Sequence, residues 1–186
     1  MMVLEVGDII QELETRIVKI DVGAVKSKLK YINAPRVKME NQINSIYDYE
    51  DRRLINNRGY ARIRVVENLL DNSVDYYMTT KKLISQGTYK IMDENEIKIS
   101  DAETGKKIFE SLGLKLQQNI KKYRESYKYK NSLIEIDIND RSFCPFPYLE
   151  IETQNNDELH EIVELLGYTI EDTTSETIYE ILNRER

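Results

Sequence analysis

Apolar and polar residues alternate with period two over most of this chain, and only a few stretches break the rhythm. Successive side chains of a strand point to opposite faces, so the alternation predicts strands over residues 10–20, 60–66, 75–83, 89–99, 120–129, 133–139 and 148–153. Four exceptions read as helices. Asp21 caps the first, which carries Val22, Val25, Leu29 and Ile32 on one face. Asp101 caps the second, with Ile108, Phe109 and Leu112 inward and Gly113 at its end. The third starts near Asn156 or Asp157, carries Leu159, Ile162, Val163 and Leu166, and stops at Gly167. Thr173 followed by Glu176 has the spacing of a capping box and predicts a fourth, with Ile178, Ile181 and Leu182 inward.

Many antiparallel strands with few helices predict an α+β protein built on one large sheet, which could close on itself and leave no open edge. The 3 prolines and 7 glycines form no linker, so residues 1–186 read as one domain. No apolar run approaches the roughly 20 residues needed to cross a bilayer, and the N-terminus lacks the order of a signal peptide. A soluble cytoplasmic protein, with no membrane partner, is the expectation.

The polar side of the alternation is ionic. Glu12, Glu14 and Arg16 share one face, as do Arg62 and Arg64, Thr79 and Lys81, Glu94 and Glu96, Lys122 and Arg124, Glu135 and Asp137, and Glu150 and Glu152. On one strand this is ordinary solvation. Repeated on seven strands and sorted by sign, it is not, because neighbouring like charges repel unless a counter-ion fills the gap. The carboxylate pairs Glu12/Glu14, Glu94/Glu96, Glu135/Asp137 and Glu150/Glu152 suit divalent metal ions, and the Arg/Lys pairs suit an anion with many oxygens. A metal-bound polyphosphate meets both demands.

Composition narrows the metal. With one cysteine, Cys144, and one histidine, His160, the chain can form neither an internal disulfide nor a zinc site of nitrogen and sulfur ligands. Oxygen ligands point to Mg²⁺ or Mn²⁺. The net charge of −6 argues against a nucleic-acid partner. Thr104-Gly105-Lys106-Lys107 is no P-loop, since Ser100 stands where that loop needs glycine and the segment lies within a helix. Glu12-x-Glu14-x-Arg16 and Glu94-x-Glu96-x-Lys98 each precede an Asp-capped helix, which hints at two related halves facing each other.

These residues, taken in order, resemble the CYTH superfamily of triphosphate tunnel metalloenzymes, which includes class IV adenylyl cyclases and thiamine triphosphatases. Glu12, Glu14 and Arg16 match its N-terminal Glu-x-Glu-x-Lys, with arginine for lysine. Ala61-Arg62-Ile63-Arg64, Met78-Thr79-Thr80-Lys81 and the later charged pairs follow in the family's order, and Ile178-Tyr179-Glu180 resembles its C-terminal helix. The resemblance implies a closed eight-stranded antiparallel tunnel with helices outside. It also implies phosphate binding by Arg62, Arg64, Lys81, Lys122 and Arg124, and one or two Mg²⁺ or Mn²⁺ ions on catalytic Glu12, Glu14, Glu150 and Glu152. Arg16 would still bind phosphate but could not act as a base. The implied substrate is a small triphosphate (ATP, thiamine triphosphate or tripolyphosphate), and the protein would be a monomer or homodimer. Val6-Gly7 replaces the His-Phe pair of the family's bacterial cyclases, which favours a triphosphatase over a cyclase, with a non-catalytic triphosphate binder as a third reading.

Overall fold

Strands with an ionic face and an oily face must put one of them inside, and here the ionic face goes in. A computed structural model describes residues 13–87 and 90–185, so Glu12 and the start of the first expected strand lie outside the described residues. Eight strands are found among the described residues: β1 (Leu13–Val18), β2 (Arg36–Asp48), β3 (Gly59–Asn68), β4 (Val74–Gln86), β5 (Lys90–Ile99), β6 (Lys115–Tyr129), β7 (Ser132–Asn139) and β8 (Tyr148–Thr153). All pair antiparallel, in the ring order β1-β5-β4-β3-β2-β6-β7-β8. The result is the tunnel-like barrel expected from the resemblance. Among the described residues its thinnest seam is β1–β5, joined there at the pair Glu14 and Lys90. Further along β1 the C-terminal segment pairs with the strand, Arg16 and Thr174 exchanging two backbone hydrogen bonds of 2.9 and 2.8 Å.

The helices α1 (Val22–Tyr31), α2 (Arg53–Asn56), α3 (Ala102–Ser111), α4 (Asn156–Leu165) and α5 (Ile178–Arg184) lie around this barrel. α1 and α4 bring Val25, Leu29, Leu159 and Ile162 onto the outer faces of Ile17, Ile134, Ile151 and their neighbours. α3 covers the opposite side, with Phe109 and Ala102 against Tyr47, Ala61 and Ile63. Each such side chain, fully buried, contributes roughly 1.5–3 kcal/mol, so the oily exterior stabilises the barrel. Among the described residues no helix is long and apolar enough to cross a membrane.

Three readings of the sequence need correction. The alternation does not predict β2, because one of its faces carries Lys38, Glu40, Gln42 and Asn44, and Asn41 and Ser45 interrupt the apolar residues on the other. Pairing with β3 on one side and β6 on the other holds it extended. In α3 the buried stripe is Ala102, Gly105 and Phe109, while Ile108 and Leu112 are 47% and 64% exposed. Gly105 sets that face: a Cβ there would lie 2.6 Å from Ile99 Cδ1, so its absence lets the helix approach the sheet. The last helix is capped four residues later than expected, with the capping box formed by Thr177 and Glu180.

Glu125, on the outer face of β6, ties the barrel to α1. It accepts hydrogen bonds from Lys26 Nζ (2.7 Å), Tyr123 (2.7 Å) and Tyr127 (2.6 Å). Burial acts to raise its pKa, but these donors outweigh burial and hold it at about 2, against 4.5 for a free glutamate. A depressed carboxyl pKa stabilises the fold above the unfolded value and loses that contribution as pH falls towards the folded one. Glu125→Gln should therefore cost about 2–3 kcal/mol at pH 7. In urea melts across pH, the gap between variant and wild type should narrow between pH 4.5 and about 2; a constant gap would contradict the assignment.

Candidate functional site

Period two decides what the tunnel contains. The inward positions of β1 hold Glu14 and Arg16, and those of β3, β4 and β5 hold Arg62 and Arg64, Thr79 and Lys81, and Glu94 and Glu96. Those of β6, β7 and β8 hold Lys122 and Arg124, Glu135 and Asp137, and Glu150 and Glu152. All but Glu14, Thr79, Glu96, Glu135 and Asp137 line a cavity of about 410 Å³, within the range of small-molecule sites, roughly 300–1,000 Å³. Seven basic side chains reach its wall against four acidic ones. An anion is therefore favoured within it.

The carboxylates divide into three groups by neighbour. Oxygens of Glu14, Glu150 and Glu152 lie within 4.8 Å of one another. Arg16 lies between Glu14 and Glu150 and donates to both, and its Nη1 reaches the Glu176 carbonyl at 3.1 Å. Burial acts to lower the Arg16 pKa, but Glu150 and Glu14 outweigh it and hold the guanidinium firmly charged. A second group surrounds Arg124: Asp137 accepts from its Nε and Nη2 at 2.6 Å each, Glu135 pairs with it as well, and Lys122 reaches Asp137 at 3.0 Å. Asp137 is fully buried, yet Arg124 and Lys122 keep its pKa below the usual carboxylate range. In the third group Glu96 accepts from Thr79 (2.6 Å) and Arg64 (2.7 Å), and Glu94 lies 2.8 Å from Lys81 and 3.4 Å from Arg62.

The three glutamates of the first group, Glu14 and Glu150 buried and Glu152 partly so, form a set of hard oxygen donors that fits a divalent cation. The other two groups brace cations: Glu135 and Asp137 stand behind Lys122 and Arg124, and Glu94 and Glu96 hold Arg62, Arg64 and Lys81 apart. Even so, the cations are not saturated. The Nε atoms of Arg16, Arg62 and Arg64 are buried without a hydrogen-bond partner. Burial first, and the adjacent Arg62 second, lower the pKa of Arg64, while burial and Arg124 do the same to Lys122. Crowded cations with unused donors favour an incoming polyanion.

Sequence reasoning missed much of the cavity's neutral lining. Tyr60, Asn139 and Tyr148 each lie one alternation beyond a recognised pair, next to Arg62, Asp137 and Glu150. Extending the alternation by one step would have found them. Asn44 lay hidden in the unpredicted β2, and Phe143 comes from the loop before β8.

The match to the CYTH domain family model spans residues 11–178. No curated protein matches the chain. Among solved structures, PH1819 from Pyrococcus horikoshii superposes with a TM-score of 0.76 at 20% identity, covering 94% of this chain and 99% of its own. A Vibrio parahaemolyticus protein described as a candidate adenylate cyclase gives 0.71 at 16% identity, covering 93% and 98%. HpAC1 from Hippeastrum, a candidate adenylyl cyclase described with a dominant triphosphatase activity, gives 0.69 at 15% identity, covering 95% and 96%.

Breaking a buried charge network by removing one partner costs about 3–5 kcal/mol. Arg124→Met leaves two buried carboxylates, Asp137 and Glu135, with only Lys122 and Ser126 beside them and should lower the unfolding free energy by about that amount. Arg64→Met, whose partner Glu96 is 26% exposed at the side chain, should cost clearly less. Denaturant melts of both variants test the ranking, and equal losses would contradict it.

Proposed function

We propose that this chain, which belongs to the CYTH domain family, binds the triphosphate of a small molecule in its tunnel and hydrolyses it with the help of a divalent metal ion. The observation that carries this reading is the set of buried guanidinium Nε donors with no partner beside a cavity whose charged lining is seven basic side chains against four acidic ones. Phosphoryl transfer needs charge neutralisation and alignment more than covalent chemistry, and a cage of this kind supplies both. Arg62, Arg64, Lys81, Lys122 and Arg124 would bind the phosphate oxygens and keep the chain extended. Glu14, Glu150 and Glu152 would hold Mg²⁺ or Mn²⁺, which supplies Lewis acidity toward the phosphoryl oxygens. Glu12, by the family pattern, would join them.

In the reaction, water forms a bond to the terminal phosphorus, the bridging P–O bond breaks with its electron pair going to the oxygen of the departing diphosphate, and phosphate is released, the water's proton being taken up by a tunnel carboxylate or solvent. Arg16 cannot be that acceptor, because its charge is locked between Glu14 and Glu150. Its role is to fix those carboxylates and to offer its unused Nε to the anion.

Purified protein assayed with ATP, thiamine triphosphate and tripolyphosphate, each with Mg²⁺ and Mn²⁺, should release free phosphate. Cyclic AMP with pyrophosphate would instead make it a cyclase, and binding without product a sensor. Glu14→Gln and Glu152→Gln should abolish metal-dependent turnover with the far-UV circular dichroism unchanged. Full activity in both variants would overturn the metal assignment.

A further inference from the structure

The carboxylates that fit a divalent cation already hold a cation of the chain's own. One nitrogen of Arg16, Nη2, donates to Glu14 and to Glu150, the two buried members of the three-glutamate cluster. The second oxygen of each faces a cation of the tunnel wall: Glu14 Oε2 lies 3.8 Å from Lys81 Nζ, and Glu150 Oε1 lies 3.5 Å from Arg124 Nη2. Arg16 is 8% exposed, Glu14 5% and Glu150 7%, so bulk water does not replace these partners.

Two cations cannot share that place. A hard divalent ion sits about 2 Å from its oxygen ligands, and a guanidinium nitrogen hydrogen-bonded to the same carboxylates would stand beside it with like charge. Arg16 therefore has to leave at least one of the two glutamates before both can ligate an ion. The rest of its guanidinium shows where it turns. Nη1 is anchored on the Glu176 carbonyl at 3.1 Å, Nε is buried without a hydrogen-bond partner, and the side chain lines the tunnel cavity. A buried guanidinium stripped of its carboxylates is unfavourable in an empty tunnel. With phosphate oxygens in the tunnel it gains charge-assisted hydrogen bonds instead.

We infer that Arg16 is a built-in counter-ion of the metal site, displaced by the divalent ion and then received by the triphosphate. The inference rests on the proposed triphosphate site and adds its regulation. Metal alone binds weakly, because it has to evict Arg16 with nothing to accept it. Triphosphate supplies that acceptor, so each ligand strengthens the binding of the other, and the coupling is reciprocal. Arginine suits this role because its fixed fork of donors holds Glu14, Glu150 and the Glu176 carbonyl at once. Arg16 is then a positioning residue that keeps the glutamates charged, close together and occupied until substrate arrives.

The test is calorimetric titration of Mn²⁺ with no triphosphate present, on wild type, Arg16→Met and Arg16→Lys. Arg16→Met should bind Mn²⁺ about tenfold more tightly than wild type, and Arg16→Lys should also gain, by a smaller factor. Mn²⁺ should raise the melting temperature of Arg16→Met more than that of wild type. A residue that merely shaped the ligand set would give the opposite sign, since its loss would loosen the glutamates and weaken Mn²⁺ binding. If Arg16→Met does not fold without metal, the comparison of Arg16→Lys with wild type decides. Mn²⁺ affinity at or below the wild-type value in the variants overturns the counter-ion. Tripolyphosphate titrated into wild type, with EDTA and again with Mg²⁺, separates the two readings: binding there leaves the triphosphate site standing whatever the variants do. If tripolyphosphate binds under neither condition, the proposed function fails, and the transfer of Arg16 to phosphate fails with it.

Discussion

Burying charge inside a closed sheet dominates this structure. An ionised side chain removed from water costs several kcal/mol unless partners replace its hydration, and here a whole belt of them is enclosed. The barrel meets that cost by pairing. Arg124 alone contacts Asp137, Glu135 and Glu150, and Arg16 contacts Glu14 and Glu150. Such networks are weak stabilisers, so the free energy of folding has to come from elsewhere. It comes from the outside of the sheet, where α1, α3 and α4 cover the apolar faces and form two separate cores. The usual arrangement of oily centre and ionic surface is inverted so that the centre stays available for a ligand.

The pairing is also uneven in a useful way. Carboxylates deep in the wall, such as Asp137 and Glu135, lie behind the cations, and the cations reach the cavity. The side chains are held by their neighbours before any ligand arrives, so little ordering remains to be done on binding. The C-terminal segment adds a second coupling. It pairs with β1 through Thr174, and its Glu176 carbonyl accepts from Arg16, so the strand that carries Glu14 is fixed by the same segment that leads into α5. The last dozen or so residues of the described chain thus hold β1 and supply part of the cavity wall.

Much of this was legible in the sequence, because the alternation of Glu14 and Arg16, Arg62 and Arg64, or Glu150 and Glu152 forces each pair to one side whatever the rest of the chain does. Helix caps at Asp21 and Asp101 were equally plain, since a carboxylate accepting from the first-turn amides is a local event. What was not legible depended on neighbours. β2 is a strand through its pairing with β3 and β6 despite its amides, and the buried face of α3 follows from the missing Cβ of Gly105. The division of carboxylates into a close cluster at Glu14, Glu150 and Glu152 and bracing partners elsewhere depends on barrel shear, which no single strand encodes. All four acidic pairs look alike in sequence, and only their cross-strand neighbours distinguish them.

The most direct measurement is the anomalous and difference density of crystals grown with Mn²⁺ and tripolyphosphate or a non-hydrolysable triphosphate. The account predicts manganese against Glu14, Glu150 and Glu152, with phosphorus atoms threaded between Arg62, Lys81, Lys122 and Arg124. Manganese and phosphate confined to the outer surface, with the interior salt links unchanged, would contradict it.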